Sequence, residues 1–209
     1  MSLVVVMTCV GCIAADSQAP RPVYDALTRV LVRLDWDSNG DGRIDHRTYV
    51  HRTVPYRTEI DRDDDGRVDT WEYVAADGKV RRLGTASAND GVEDTWTWPA
   101  DGAGTLRIDR AQYRDGVADR AEYFQRDVLV RAEEDANRDG RIDKWETWEG
   151  GVLRAAAYDT SFAAGRADRR VLYDDAGRFA YMEADSDGDG RFERMTAAEA
   201  ATTREVNRE

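Results

Sequence analysis

Past the first dozen positions, apolar residues in this chain come in short bursts, never in long runs. "TWEYV" (70–74), "TWTWP" (95–99), "RAEYF" (120–124) and "KWETW" (144–148) are aromatic-rich segments, each followed by a polar stretch that often contains glycine. A second apolar segment then returns, as in "VLVRAEE", "VLRAAAY" and "RFAYMEA". Trp71/Tyr73 and Trp96/Trp98 alternate with polar residues, which is the period of a half-buried strand. A helical reading rests on "DTWE", "DRAE" and "DKWE", which have the form of N-terminal capping boxes, and on the Trp145/Trp148 spacing. Such a helix would last barely two turns before a glycine and has no i, i+4, i+7 stripe. The pattern predicts strands, paired as hairpins.

The hairpins repeat. Gly42, Gly66, Gly91, Gly116, Gly140, Gly165 and Gly190 recur at intervals of 24 or 25 residues, and three residues after each comes Asp45, Asp69, Asp94, Asp119, Asp143, Asp168 or Glu193. A fixed period of this size marks a repeat architecture. "RVLVRLDWD" before the first glycine matches "DVLVRAEED" before the fifth, so the array begins with half a unit near Tyr24. The expected fold is all-β: about seven 25-residue β-hairpin repeats over 23–196, with a tail at 197–209. A lone hairpin cannot bury its face, so stacked neighbours should make an elongated twisted sheet or a solenoid. Stripes at Trp71, Trp96 and Trp145 are assigned to that stacking in preference to a sugar-binding platform.

Four of the glycines close a fuller motif. "DSNGDGRID" carries Asp37, Asn39, Asp41 and Asp45; "DRDDDGRVD" carries Asp61, Asp63, Asp65 and Asp69; "DANRDGRID" carries Asp135, Asn137, Asp139 and Asp143; "DSDGDGRFE" carries Asp185, Asp187, Asp189 and Glu193. This pattern resembles the calcium loop of EF-hand and dockerin proteins. The resemblance implies Ca²⁺ held by oxygens at positions 1, 3 and 5, a backbone carbonyl at 7, and a sharp turn at the position-6 glycine. In the EF-hand a glutamate at position 12 completes the sphere. Glu72 and Glu146 stand there in two copies, Thr48 and Thr196 in the others. If a strand follows the loop, positions 9 and 12 point to opposite faces roughly 10 Å apart. Position 9 is then the expected ligand, directly or through water. Around Gly91, Gly116 and Gly165 the alignment puts alanine, tyrosine, threonine or phenylalanine at positions 1 and 3. Those three loops are expected to hold no ion, with Asp94, Asp119 and Asp168 capping loop amides instead.

Composition adds constraints. A formal charge of −12 and a pI near 4.7 argue against nucleic acid, whose phosphates need clustered basic residues. The same charge suits cations, and four divalent ions would bring it to about −4. Lys79 and Lys144 are the only lysines among 30 basic residues, a bias that reads as codon usage rather than guanidinium chemistry.

Residues 1–12 read as a signal peptide: an apolar run too short to span a bilayer, then "CVGC". That ending resembles a bacterial lipobox, which implies cleavage before Cys12 and its lipidation, with 13–22 as a linker. No Walker loop, dinucleotide fingerprint or HExxH occurs, and His46 and His51 read as exposed strand residues. The chain is therefore expected not to be an enzyme. It reads as an exported calcium-binding repeat protein at the outer membrane, cell surface or periplasm. A structural or adhesive role is expected, with an envelope protein or polysaccharide as an unspecified partner. The alternative is a dockerin-like or EF-hand protein-docking module, which demands helices after the loops.

Overall fold

The computed structural model describes residues 19–161 and 165–196. Cys12, the rest of the predicted signal peptide and the tail at 197–209 lie outside the described residues. The described chain is all-β, with no helix, so the loops lack the helices that a dockerin-like module requires. Fifteen strands follow one another: β1 Arg21–Tyr24, β2 Leu31–Trp36, β3 His46–His51, β4 Val54–Ile60, β5 Thr70–Val74, β6 Val80–Thr85, β7 Thr95–Trp98 and β8 Thr105–Arg110. The series continues with β9 Arg120–Gln125, β10 Val128–Glu134, β11 Lys144–Glu149, β12 Val152–Tyr158, β13 Arg169–Tyr173, β14 Phe179–Ala184 and β15 Glu193–Arg194. They pair antiparallel in sequence order into one sheet. The sheet stays open, with β1 and β15 as its edges, so the solenoid alternative does not apply. Pairing starts at Arg21, inside the predicted linker.

Fourteen intervals of about 4.8 Å make a ribbon roughly 65–70 Å long. Because every connection is a hairpin, the glycine loops all fall on one long edge and the turns on the other. At the turn edge, six of the seven hairpins carry a register shift one or two paired positions in from the turn. A bulge there sharpens the local right-handed twist.

A single-layer sheet has no opposing layer to bury its side chains, and its fully covered apolar residues are few and small: Ala132 and Ala156 are 0% and 1% exposed. Cross-strand pairs must supply the stability instead, at about 0.2–1 kcal/mol each. On one face, register aligns Arg33, Tyr49, Arg57, Tyr73, Arg82, Trp98, Arg107, Tyr123 and Arg131, one per strand from β2 to β10. Guanidinium groups lie over the rings at 3.9–5.9 Å, within cation–π range. Five of the arginines are thus used as guanidinium chemistry, a use that the composition did not reveal. A lysine has no planar group to stack on the ring.

The next row on that face holds carboxylates that close each unit. Glu59 takes Arg57 and the Tyr49 hydroxyl; Glu133 takes Arg131 and the Tyr123 hydroxyl; Asp109 takes Arg107 and Trp98 Nε1. Trp71 and Trp96 share this row, flanking Gly84, and are only 8% exposed. Covered rings of this kind suit stacking and not a sugar platform.

The opposite face is ionic. Arg120 on β9 bonds Glu122 on its own strand, Glu134 on β10 and Glu146 on β11. Lys144 closes the network on Glu134 and Glu146, and Arg110 joins through Glu122. Ala132 lies between Glu122 and Glu146 in register, and its small side chain lets the Arg120–Glu146 bridge pass over β10.

Candidate metal centre

The seven glycine loops share one backbone frame. In six, the position-9 amide donates to the end of the preceding strand, as Asp69 N does to the Ile60 carbonyl at 2.9 Å. The position-9 carbonyl then accepts from the first residue of the next loop, as Asp45 O does from Asp61 N at 2.9 Å. The sheet ladder thus continues beneath the loops and fixes their spacing at two strands, about 9–10 Å. The seven position-6 glycines have φ between +60° and +94°, a region that L side chains enter at a cost. Position 4 is also left-handed, at Gly40, Asp64, Asn89, Arg114, Arg138 and Gly188. Sequence reading missed this second requirement, although glycine, aspartate and asparagine at four of the six are its signature.

The frame assigns work to each carboxylate. The position-1 aspartate accepts the glycine amide: Asp37 from Gly42 at 2.8 Å, Asp61 from Gly66 at 2.9 Å, Asp135 from Gly140 at 2.8 Å, Asp185 from Gly190 at 3.1 Å. The position-5 aspartate accepts the position-7 amide, as Asp41, Asp65, Asp139 and Asp189 do at 2.7–2.9 Å. At position 3, Asn39, Asp63, Asn137 and Asp187 accept the amide of position 5 through one oxygen. The second oxygen is open at Asp61 and Asp185, whereas Asp37 and Asp135 accept amides on both oxygens and Asp63 Oδ2 accepts from Asn89 Nδ2 at 2.6 Å.

In two loops this geometry converges fully. Carboxylate oxygens of Asp61, Asp63 and Asp65 lie within 4.8 Å of one another, as do those of Asp185, Asp187 and Asp189, so either triplet can hold a metal ion. In each, the position-1 residue is buried and its second oxygen, Asp61 Oδ1 or Asp185 Oδ1, has no hydrogen-bond partner. A buried carboxylate oxygen without a donor is costly unless a cation completes it. Loops one and five offer two carboxylates and an asparagine carbonyl.

Position 9 has a structural task in full and depleted loops alike. Asp45, Asp69, Asp94, Asp119, Asp143 and Asp168 all accept the amide of position 2, from Ser38, Arg62, Ser87, Gln112, Ala136 and Thr160. Burial pushes Asp45 up, but hydrogen bonds from Ser38 and His46 outweigh it and hold its pKa down to about 2. Asp69 keeps one buried oxygen unpartnered, whereas Glu193 is exposed. The position-12 residues lie on the ionic face of the sheet: Glu146 is engaged by Arg120 and Lys144, and Glu72 stands between Thr58 and Leu83. His46 is half-buried, its Nδ1 2.9 Å from Asp45 and its ring against Trp36; His51 is exposed.

The depleted third and fourth loops each receive an arginine from position 4 of the loop that follows. Arg114, at position 4 of the fourth loop, reaches back to Asp94 at 3.0 Å and to Asp90, positions 9 and 5 of the third. Arg138 in the fifth loop likewise reaches Asp115 in the fourth. The sixth loop needs a correction. It is one residue longer, and its position 1 is Asp159 rather than Thr160: Asp159 N donates to Asp143 O, and Gly165 N donates to Asp159 at 2.7 Å. Alignment on the glycine alone hid this buried aspartate. In loop two, burial first and then the charges of Asp41, Asp45 and Asp61 push Asp64 up, with Arg43 acting against them.

No family model matches the chain, and no curated protein does. Among solved structures, one similar chain comes from the crystal structure of GtfA/B complex, at 15% identity and a TM-score of 0.24. The likeness covers 56% of this chain and 22% of that one, so this chain spans under a quarter of its length. It is too low to carry a fold or a function.

Proposed function

We propose that the protein is a Ca²⁺-stiffened repeat protein of the bacterial cell envelope, anchored by lipid at Cys12. The ions act as staples along the loop edge of the sheet. The observation that carries this is the pair of aspartate triplets at 61/63/65 and 185/187/189, each with a buried carboxylate oxygen lacking a donor. Loops of all-oxygen donors on a flexible turn suit Ca²⁺, which accepts six to eight oxygens at variable angles, better than Mg²⁺, which demands a near-ideal octahedron. Ligands come from positions 1, 3 and 5 and the position-7 carbonyl, while position 9 anchors the loop. The role is structural: a thin sheet with little core gains from ions that each fix one of its edge loops, and the described residues contain no nucleophile–base arrangement at the site.

The test is thermal unfolding in calcium and in chelator. Each site adds about 1.4 kcal/mol when free ion exceeds Kd tenfold. Chelator should lower the melting temperature by many degrees, with Mg²⁺ restoring little of it. Coincident melting curves would remove the metal from the account.

A further inference from the structure

The first and last loops differ by a single residue over their opening positions. Residues 37–42 read Asp-Ser-Asn-Gly-Asp-Gly, and residues 185–190 read Asp-Ser-Asp-Gly-Asp-Gly. Asn39 stands where loop seven has Asp187, a member of its carboxylate triplet. It is also the only asparagine in the chain followed by glycine: Asn89 precedes Asp90, Asn137 precedes Arg138 and Asn207 precedes Arg208.

An asparagine followed by glycine is set up for one reaction. The glycine amide nitrogen, with no Cβ beside it and a freely turning backbone, adds to the asparagine Cγ and closes a cyclic imide. Loop one holds the groups for that step. Asn39 Oδ1 accepts from Asp41 N at 2.9 Å, an Asx turn that folds Cγ back over the peptide bond to Gly40. The same amide is a donor to the oxygen on which negative charge develops as nitrogen adds to Cγ. Gly40 N, the nucleophile, donates to Asp37 Oδ1 at 2.7 Å, and Asn39 Nδ2, the leaving atom, donates to Asp64 Oδ2 of loop two at 2.6 Å. Asn39 and Gly40 are both exposed, and a Cβ on Gly40 would meet nothing within 4 Å, so water reaches the reacting peptide.

Loop five supplies the contrast. Asn137 occupies the same position 3 and makes the same bond, accepting from Asp139 N at 2.9 Å, but Arg138 follows it in place of glycine.

We infer that Asn39 is a site of spontaneous deamidation that gives loop one the carboxylate set of loop seven. In the first step the bond from Gly40 N to Cγ forms and the Cγ–Nδ2 bond breaks. The proton lost by Gly40 N goes to Nδ2, which leaves as ammonia. Water then opens the imide. Opening at Cγ leaves aspartate, and opening at the backbone carbonyl leaves isoaspartate, whose chain runs through the former side chain. Both products add a negative charge, and the aspartate product carries carboxylates at positions 1, 3 and 5. Its use for an ion rests on the metal reading above, while the modification does not.

Peptide mapping tests this. The full chain is kept in mildly alkaline buffer with chelator, well below its melting temperature, then digested and weighed over time. An isoaspartyl methyltransferase labels the isoaspartate product. The peptide holding Asn39 should gain the mass difference of O for NH together with methyl label, and the peptide holding Asn137 should gain neither. Gly40→Ala should abolish the change at Asn39. Arg138→Gly places glycine where the backbone is already left-handed, at φ 64°, and should confer the change on Asn137. An Asn39 that stays unmodified while the urea-unfolded chain converts it would overturn the site. So would equal conversion of Asn39 and Asn137 in the native chain, or an Asn137 left inert by Arg138→Gly. None of these readouts involves calcium, so failure of the metal reading shows separately, as coincident melting curves in calcium and in chelator.

Discussion

An arginine does in the third loop what an ion is proposed to do in the second. Arg114 brings one positive charge to Asp90 and Asp94, so that loop needs no metal to neutralise them. Replacing Arg114 with glutamine leaves buried Asp94 with only its Ser87 and Thr95 partners. We predict a loss of about 1–2 kcal/mol in urea unfolding, equal in calcium and in chelator. A loss seen only in calcium would mean that Arg114 supports an ion. At this scale the sequence was partly legible. Asp-x-Asp-x-Asp-Gly announces its loop because the turn needs glycine and the carboxylates must converge. The arginine partners were invisible, since contact between loops about 24 residues apart depends on register and side-chain reach. Asp159 was hidden for a simpler reason: a one-residue insertion moved it out of phase with its glycine.

The third unit shows how the hairpins keep one plan when a residue is lost. Units around Tyr49 and Tyr123 close on a strand carboxylate, Glu59 or Glu133; the equivalent position in β6 is Gly84. Glu93, from position 8 of the following loop, enters that space, accepts from the Tyr73 hydroxyl at 2.8 Å and lies 3.6 Å from Arg82. A Cβ on Gly84 would meet the Glu93 carboxylate at 2.0 Å. Gly84→Ala should therefore cost about 1–3 kcal/mol. The double change Gly84→Glu with Glu93→Val restores the arrangement of the other units and should cost less than either change alone. Additive losses in that cycle would refute the substitution of one carboxylate for the other. Strand positions were readable from alternation alone, but the Arg–aromatic ladder was not. It emerges only when two-residue periods on nine strands are brought into register.

Acid should unfasten the ionic face. Burial pushes Glu146 up, yet Arg120 and Lys144 outweigh it and hold its pKa down to about 2. In the unfolded chain a glutamate titrates near 4.3. A depressed folded pKa gives stability that is complete above about 4.3 and is lost as pH falls through about 2. Glu146→Gln should be less stable by about 3 kcal/mol near neutrality, because it strands Arg120 and Lys144 in partial burial. The gap to the unaltered protein should close toward pH 2, and a gap independent of pH would show that packing, not charge, holds this site.

At the scale of the whole molecule, the period of 24 or 25 residues decided the architecture before any local choice did. Two strands per period, hairpin connections and no crossovers leave only a ribbon with loops on one edge and turns on the other. Its openness was not legible, because closure depends on twist accumulated over fifteen strands and no motif encodes it. The ribbon has little core, so its stability is distributed among pairs along its length and cross-links along its loop edge. The most direct test of the calcium staples is a calorimetric titration of Ca²⁺ into the metal-free protein. The account predicts about four ions per chain, filling the loops at Asp37, Asp61, Asp135 and Asp185, and about three for Asp135→Ala. A stoichiometry near zero would contradict it, leaving the periodic aspartates as turn-forming residues that hold backbone amides and nothing else.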